Sequence, residues 1–335
     1  MTLSRQSARL NLLLTALSLR LAFAELVAVP LAVGWFDPRC ALPLIAIALF
    51  APLRWQLLHE AAHGLLLPQR GRNDLSGRVM GVCFLVPFDL WRLAHRWHHV
   101  AGRSRCGKVD VYEPGPWQRW RCRLALWLRL LGGAYAMAVL AGLACLLPAC
   151  WLRRRGLPKG LRLALRHGRR ARRLRWDAGA GAALYGLAAW LYGDAFWMLA
   201  LAVAARALLV SLGDQPCFAG QGLGDPSLAA NLSLPRCLGP ALLNAHLRGM
   251  HHRRPDLGWQ SLPEAFARGA SCWDGRYWQA VWRRQWRAHP APSLPVIPLR
   301  KAGPTGIMPA DFITTRHHDP AQERHLPARA PEGAG

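Results

Sequence analysis

Long apolar stretches alternate with arginine-rich ones along this chain, and their spacing predicts a bundle of membrane-spanning helices. A helix needs roughly 20 apolar residues to cross a hydrocarbon core. Leu10 to Trp35 supplies one such length and Cys40 to Trp55 a second, with Phe36-Asp-Pro-Arg39 as the turn. Met80 to Leu90 is apolar but too short to cross and contains Pro87, which predicts a re-entrant or interfacial piece. Leu124 to Trp151 suits one long pass or, with a break at Gly132-Gly133, a cramped hairpin; the charge that follows favours the hairpin. Ala178 to Leu212, interrupted at Tyr192-Gly-Asp194, has the length for two passes and a turn. The pattern predicts an all-α integral membrane fold of four to six transmembrane helices in hairpins.

Beyond these runs, Glu264 to Ala288 places Trp273, Trp278, Trp282 and Trp286 among arginines and reads as an amphipathic segment at the interface. Pro, Gly and charge then dominate, so residues 1–290 form the membrane-embedded domain and 291–335 a disordered tail. The net charge of +25 could suggest nucleic acid, but the arginines flank apolar segments, where they set topology and meet anionic headgroups. No nucleic-acid-binding motif accompanies them. The most basic stretch, Arg153 to Arg175, belongs in the cytoplasm, on the side of Arg5 and Arg9. The first apolar run continues past Leu31 without a small-residue cleavage site, so it reads as a retained helix. Inside it, Glu25 and Arg20 are explained by mutual pairing or by snorkelling. Nine cysteines without a Cys-x-x-Cys pair suggest neither a disulfide framework nor a zinc ribbon.

The candidate chemistry lies in three histidine clusters beside the apolar segments: His59-Glu-Ala-Ala-His63, His95-Arg-Trp-His98-His99 and His246-Leu-Arg-Gly-Met-His251-His252. Residues four apart share a helix face, so His59 and His63 can address one metal, while His98 and His99 point apart enough to serve two. One zinc takes four ligands, whereas two irons with positions open for oxygen can use this many imidazoles. The clusters follow the ends of spans and fall on one predicted face, the cytoplasmic one. His167, His289, His317, His318 and His325 lie in basic or tail stretches and receive no role.

The clusters and their neighbours resemble the membrane fatty acid desaturase superfamily, whose boxes read HxxxH, HxxHH and a late (H/Q)xxHH. His59 to Gly64 followed by Asn73 and Gly77, His95 to His99 followed by Asp110, and Asn244 through His251-His252-Arg-Arg-Pro255 to Trp259 and Leu262-Pro263 keep that family's order of landmarks. The similarity runs over most of Leu10 to Arg287. It implies a cytoplasmic-face, non-haem di-iron centre that uses O2 to desaturate an acyl chain of a fatty acid or lipid. The implied ligands are His59, His63, His95, His98, His99, His251 and His252, with Asn73, Asp110 and Asn244 as supporting groups. Electrons must come from outside, from a carrier of the ferredoxin or rubredoxin type, because the chain has no flavin or nicotinamide glycine motif and no cysteine set for an iron-sulfur cluster.

One residue departs from the family pattern. Three positions before His251, where His or Gln is usual, stands Arg248, which cannot ligate a metal while charged. The nearby His246 is the candidate replacement. Asp214-Gln215 either lines the site or marks the membrane exit. Rival readings are a hydroxylase or ketolase of a lipid or carotenoid on the same scaffold, an intramembrane zinc protease using the literal HExxH, and a metal-binding protein that has lost catalysis. The protease leaves two clusters unexplained, and the choice among oxidations depends on how a substrate carbon is held.

Overall fold

The computed structural model describes residues 4–101, 110–148, 168–218, 229–269, 271–283, 286 and 288–290. The tail expected from residue 291 and most of the basic stretch from Arg153 to Arg175 lie outside these residues. Helices dominate: α1 (Arg5–Phe23), α2 (Val29–Trp35), α3 (Pro43–Leu49), α4 (Ala51–His63), α5 (Arg70–Cys83), α6 (Phe88–Ala101), α7 (Gln118–Leu128), α8 (Ala134–Ala144), α9 (Gly168–Tyr192), α10 (Phe196–Asp214), α11 (Leu238–Ala241), α12 (Arg248–Arg253), α13 (Leu262–Arg268) and α14 (Tyr277–Arg283). A two-residue parallel ladder, Val111–Tyr112 with His289–Pro290, is the one sheet among the described residues.

Among the described residues, three helical stretches are long and apolar enough to cross a membrane: Arg5–Trp35, Gln118–Ala144 and Gly168–Cys217. A fourth joins them if Pro38–Leu49 and Ala51–His63, bent by 46°, count as one span. The burial pattern agrees with a lipid-facing surface. Leu13, Phe23, Ile45, Leu49 and Leu201 are exposed, whereas Asn11, Thr15, Ser18, Glu25, Arg54 and Arg206 are buried.

The first two apolar runs touch at two depths. Asn11 Nδ2 donates to Leu66 O at 2.9 Å and Arg54 Nη1 to Glu25 Oε2 at 3.3 Å, contacts nearly symmetrical about the turn at Asp37–Cys40. Glu25 lies in a single π turn, Ala24–Ala28, and its partners are Arg54 and Arg206 from other helices rather than Arg20, which is exposed. The reason is electrostatic: a buried carboxylate needs charged partners that converge on it from neighbouring helices, and Arg20 lies on an exposed face of its own helix. Arg206 also donates to Tyr185, 21 positions away. In one straight helix those residues would stand about 30 Å apart, so the chain folds back at Gly193, whose φ is 52°.

One expectation changes. The predicted break at Gly132-Gly133 is a kink, with Gly132 at φ 112°, and its two arms make one bent candidate span, Gln118–Ala144, rather than a hairpin. A left-handed glycine redirects a helix without reversing it when both arms keep helical hydrogen bonds. The apolar piece from Met80 to Leu90 is the end of α5, a turn through Leu85 (φ 57°) and the start of α6. Met80, Phe84, Val86 and Phe88 pack into the main core with Trp55, Leu57, Leu58 and Tyr135. Gly77 and Gly81 permit this closeness, because a Cβ on either would fall 2.5 Å from the Phe88 ring or the Val86 carbonyl.

Candidate metal centre

The three clusters arrive on three helices. His59 and His63 sit one turn apart on α4, which ends at Gly64 (φ 79°) with Leu65 N–H bonded to Glu60 O at 2.9 Å. Asn73 braces that end: its Nδ2 donates to Ala61 O at 2.9 Å, and its Oδ1 accepts from the N–H groups of Leu66 and Leu67. Its service to the site is thus through the backbone that carries His63. On α6 come His95, His98 and His99; on the short α12 come His251 and His252. Asn231 holds α12 in place, accepting from Met250 N–H at 2.8 Å, while the chain beside it bonds Leu232 N–H to His246 O at 2.9 Å.

Five histidines converge. His59, His63, His95, His99 and His251 each bring a ring nitrogen within 4.8 Å of all the others. The Nε2 atoms of His63 and His95 are 2.8 Å apart, those of His95 and His99 3.0 Å, and those of His99 and His251 3.3 Å. His98 and His252 form an adjoining lobe, ring centroids 5.0 Å apart with Phe218 against both, joined to the five by the stack of His99 on His252 at 4.3 Å. Trp91 stacks beneath His95 at 5.6 Å.

Burial and then neighbouring positive charge hold His95 and His251 well below the usual imidazole range, and burial with His98 and Arg248 takes His99 down to about 3. Neutral rings are the form that ligates metal. A neutral imidazole has one donor and one acceptor nitrogen; these rings meet through Nε2, and among the described residues His251 Nδ1 is buried without a partner. Such a donor set fits a first-row divalent metal ion.

The remaining candidates fall in different places. His246 lies outside the group of five: it precedes α12, stacks on Trp273 at 5.9 Å and packs against Gly239. Burial lowers its pKa to about 4. Arg248, by contrast, points inward, with Nη1 2.9 Å from His59 Nε2 and Nη2 held by Asp214. Asp214 therefore does border the site. Asn244, with φ 55°, donates to Trp259 O at 3.0 Å and lines a small pocket with Gln56, His59, Glu60, Arg248 and His251. Asp110 is buried beside Cys122 and Arg129. Glu60 turns its carboxylate to the Trp259 N–H at 3.2 Å. Sequence reading had no signal for Asn231, a polar residue in a short loop. For Arg248 the signal was its misfit with the box, without the direction in which the guanidinium points.

Residues 38–284, well over half of the chain, match the family model described as fatty acid desaturase. A curated relative, an acyl-lipid (9+3)-(E)-desaturase of Dimorphotheca sinuata, is 35% identical over 65 residues, which is 18% of this chain and 16% of the relative. No solved structure matches the chain.

Proposed function

We propose that this chain, which belongs to the fatty acid desaturase family and is an oxidoreductase of the desaturase type, uses two non-haem irons and O2 to desaturate an acyl chain in the membrane. The observation that carries this reading is the meeting of five histidines, drawn from positions 59 to 251, at one buried point. His59, His63, His95, His98, His99, His251 and His252 are assigned as ligands, and His246 is left as a structural residue against Trp273.

When bound, the iron supplies the power to remove hydrogen from an unactivated C–H bond at the expense of O2 and two external electrons. The chain's own share is to keep the imidazoles neutral, hold them on three helix ends and enclose them against water. Trp91 stacks on His95 and packs against Trp55 in the core with Phe84 and Tyr135, which gives the centre an apolar wall. Residues 1–290 act as the membrane unit and 291–335 as a tail outside it. Its helices cross the membrane several times, with the histidine ends on the cytoplasmic side. There a soluble carrier of the ferredoxin or rubredoxin type delivers electrons.

The test is elemental analysis of the purified protein beside a lipid profile of cells that express it. About two irons per chain and new acyl double bonds, both lost in His95→Ala, support the reading. One zinc per chain with unchanged lipids overturns it in favour of a protease.

A further inference from the structure

Arg248 is 2% exposed, and its guanidinium is shared among three partners. One edge meets His59, with Nη1 at 2.9 Å from Nε2; the other is held by Asp214 and reaches Gln56 Oε1 at 3.4 Å. An arginine in a protein stays protonated and has no acceptor, so this hydrogen bond runs from Arg248 into the lone pair of His59 Nε2. The ring proton of His59 is then on Nδ1, which faces a Glu60 carboxylate oxygen at 3.8 Å. His59 thus has the tautomer a ligand needs, with its coordinating nitrogen already engaged.

The other converging rings have no such cover. His63, His95, His99 and His251 meet one another through Nε2, and neighbouring imidazoles give way to an ion without loss of charge pairing. Displacing Arg248 is different in kind. It is buried and paired to Asp214, so it must either keep that carboxylate while withdrawing from His59 or break a nearly enclosed ion pair. Family members with His or Gln at this position have no cation to displace.

We propose that Arg248, anchored by Asp214, competes with iron for His59 and so makes the two ions of the centre unequal, one firmly held and one weakly. The inference rests on the two-iron reading given above. Its consequence is a centre that fills in order, with the second ion bound only as Arg248 lets go of His59. Asp214 ends α10, so that ordering is tied to a candidate membrane helix as well as to the third box.

The test uses full-length protein in detergent, loaded anaerobically with ferrous iron and then titrated with a chelator, the iron retained being counted by elemental analysis. Wild type is expected to release its iron in two separated steps. Arg248→Gln, which removes the cation and keeps an amide, should tighten the weaker step roughly tenfold or more, the size of effect typical of groups around metal ligands. Arg248→Met, similar in length and without a donor, should do the same and serves if the Gln variant does not accumulate. A single release step in wild type, or two unchanged steps in both variants, overturns the proposal. No iron in wild type or variants removes the two-iron reading itself and the proposal with it.

Discussion

The backbone N–H of Trp259 donates to a carboxylate oxygen of Glu60 at 3.2 Å, across 199 positions of sequence. Glu60 follows His59 in a literal HExxH, where a protease would need that carboxylate free to activate water. Here it is 3% exposed and fastens the loop after the third box to the helix that carries the first.

Glu60→Gln should therefore be mild. The amide oxygen can still accept from Trp259, so iron content is expected to stay within the wild-type range and acyl oxidation to persist. Glu60→Ala leaves a buried N–H unmatched and should cost about 1–3 kcal/mol, read as earlier thermal unfolding in detergent. Loss of all activity in Glu60→Gln with metal retained would restore the protease.

Two kinds of histidine are expected. His95→Ala removes a ring that meets His63 and His99 through Nε2, and bound iron should be lost with activity. His246→Phe keeps a flat ring against Trp273 and should retain both iron and lipid oxidation. Iron loss in His246→Phe comparable with that of His95→Ala would mean that His246 is a ligand.

Asn73→Ala should show how far the end of α4 depends on one side chain. The substitution deletes the bonds to Ala61, Leu66 and Leu67. Several buried groups lose their partner, so a destabilisation of roughly 2–4 kcal/mol is expected. Weaker iron retention should accompany it, because His63 is the last residue of that helix. Thermal unfolding and iron content measured together test both halves of the statement.

Glu25 is the single carboxylate between Arg54 and Arg206, and all three are at most 2% exposed. Glu25→Gln leaves two buried guanidinium groups facing each other and should cost about 3–5 kcal/mol. The expected result is poor accumulation in membranes and a low melting temperature. Glu25→Gln combined with Arg206→Leu removes one of the two charges and should recover part of the loss. Equal melting of wild type and Glu25→Gln would show that the cluster carries no net stabilisation.

The helices and the meeting of histidines from three clusters were readable in the sequence, because apolar length and i, i+3, i+4 spacing act locally. What it hid was long range. Glu25 was paired with Arg20 on proximity in the chain, whereas depth in the bundle brings it Arg54 and Arg206. His246 was favoured as a ligand for being near the expected position; it lies outside the group of five and stacks on Trp273, because α12 begins two residues later and the direction of a side chain just outside a helix is set by its neighbours. Gly132-Gly133 marked a break correctly. Composition alone cannot tell a kink from a reversal.

Asn11 belongs to the first helix, yet its Oδ1 accepts from Trp259 Nε1 at 3.0 Å and from Gln260 Nε2 at 2.9 Å, the latter 249 positions downstream. Translation at typical rates takes about 10–50 s to cover that distance. Throughout that interval the first helix is in the membrane with a polar acceptor that only the far end of the fold can cover, and His59 and His63 are made long before His251. The helices can therefore form early, whereas the polar clasp on Asn11 closes only after residue 260 has emerged. A nascent chain stalled before that point would carry most of its helices with the clasp from Trp259 and Gln260 onto Asn11 still open.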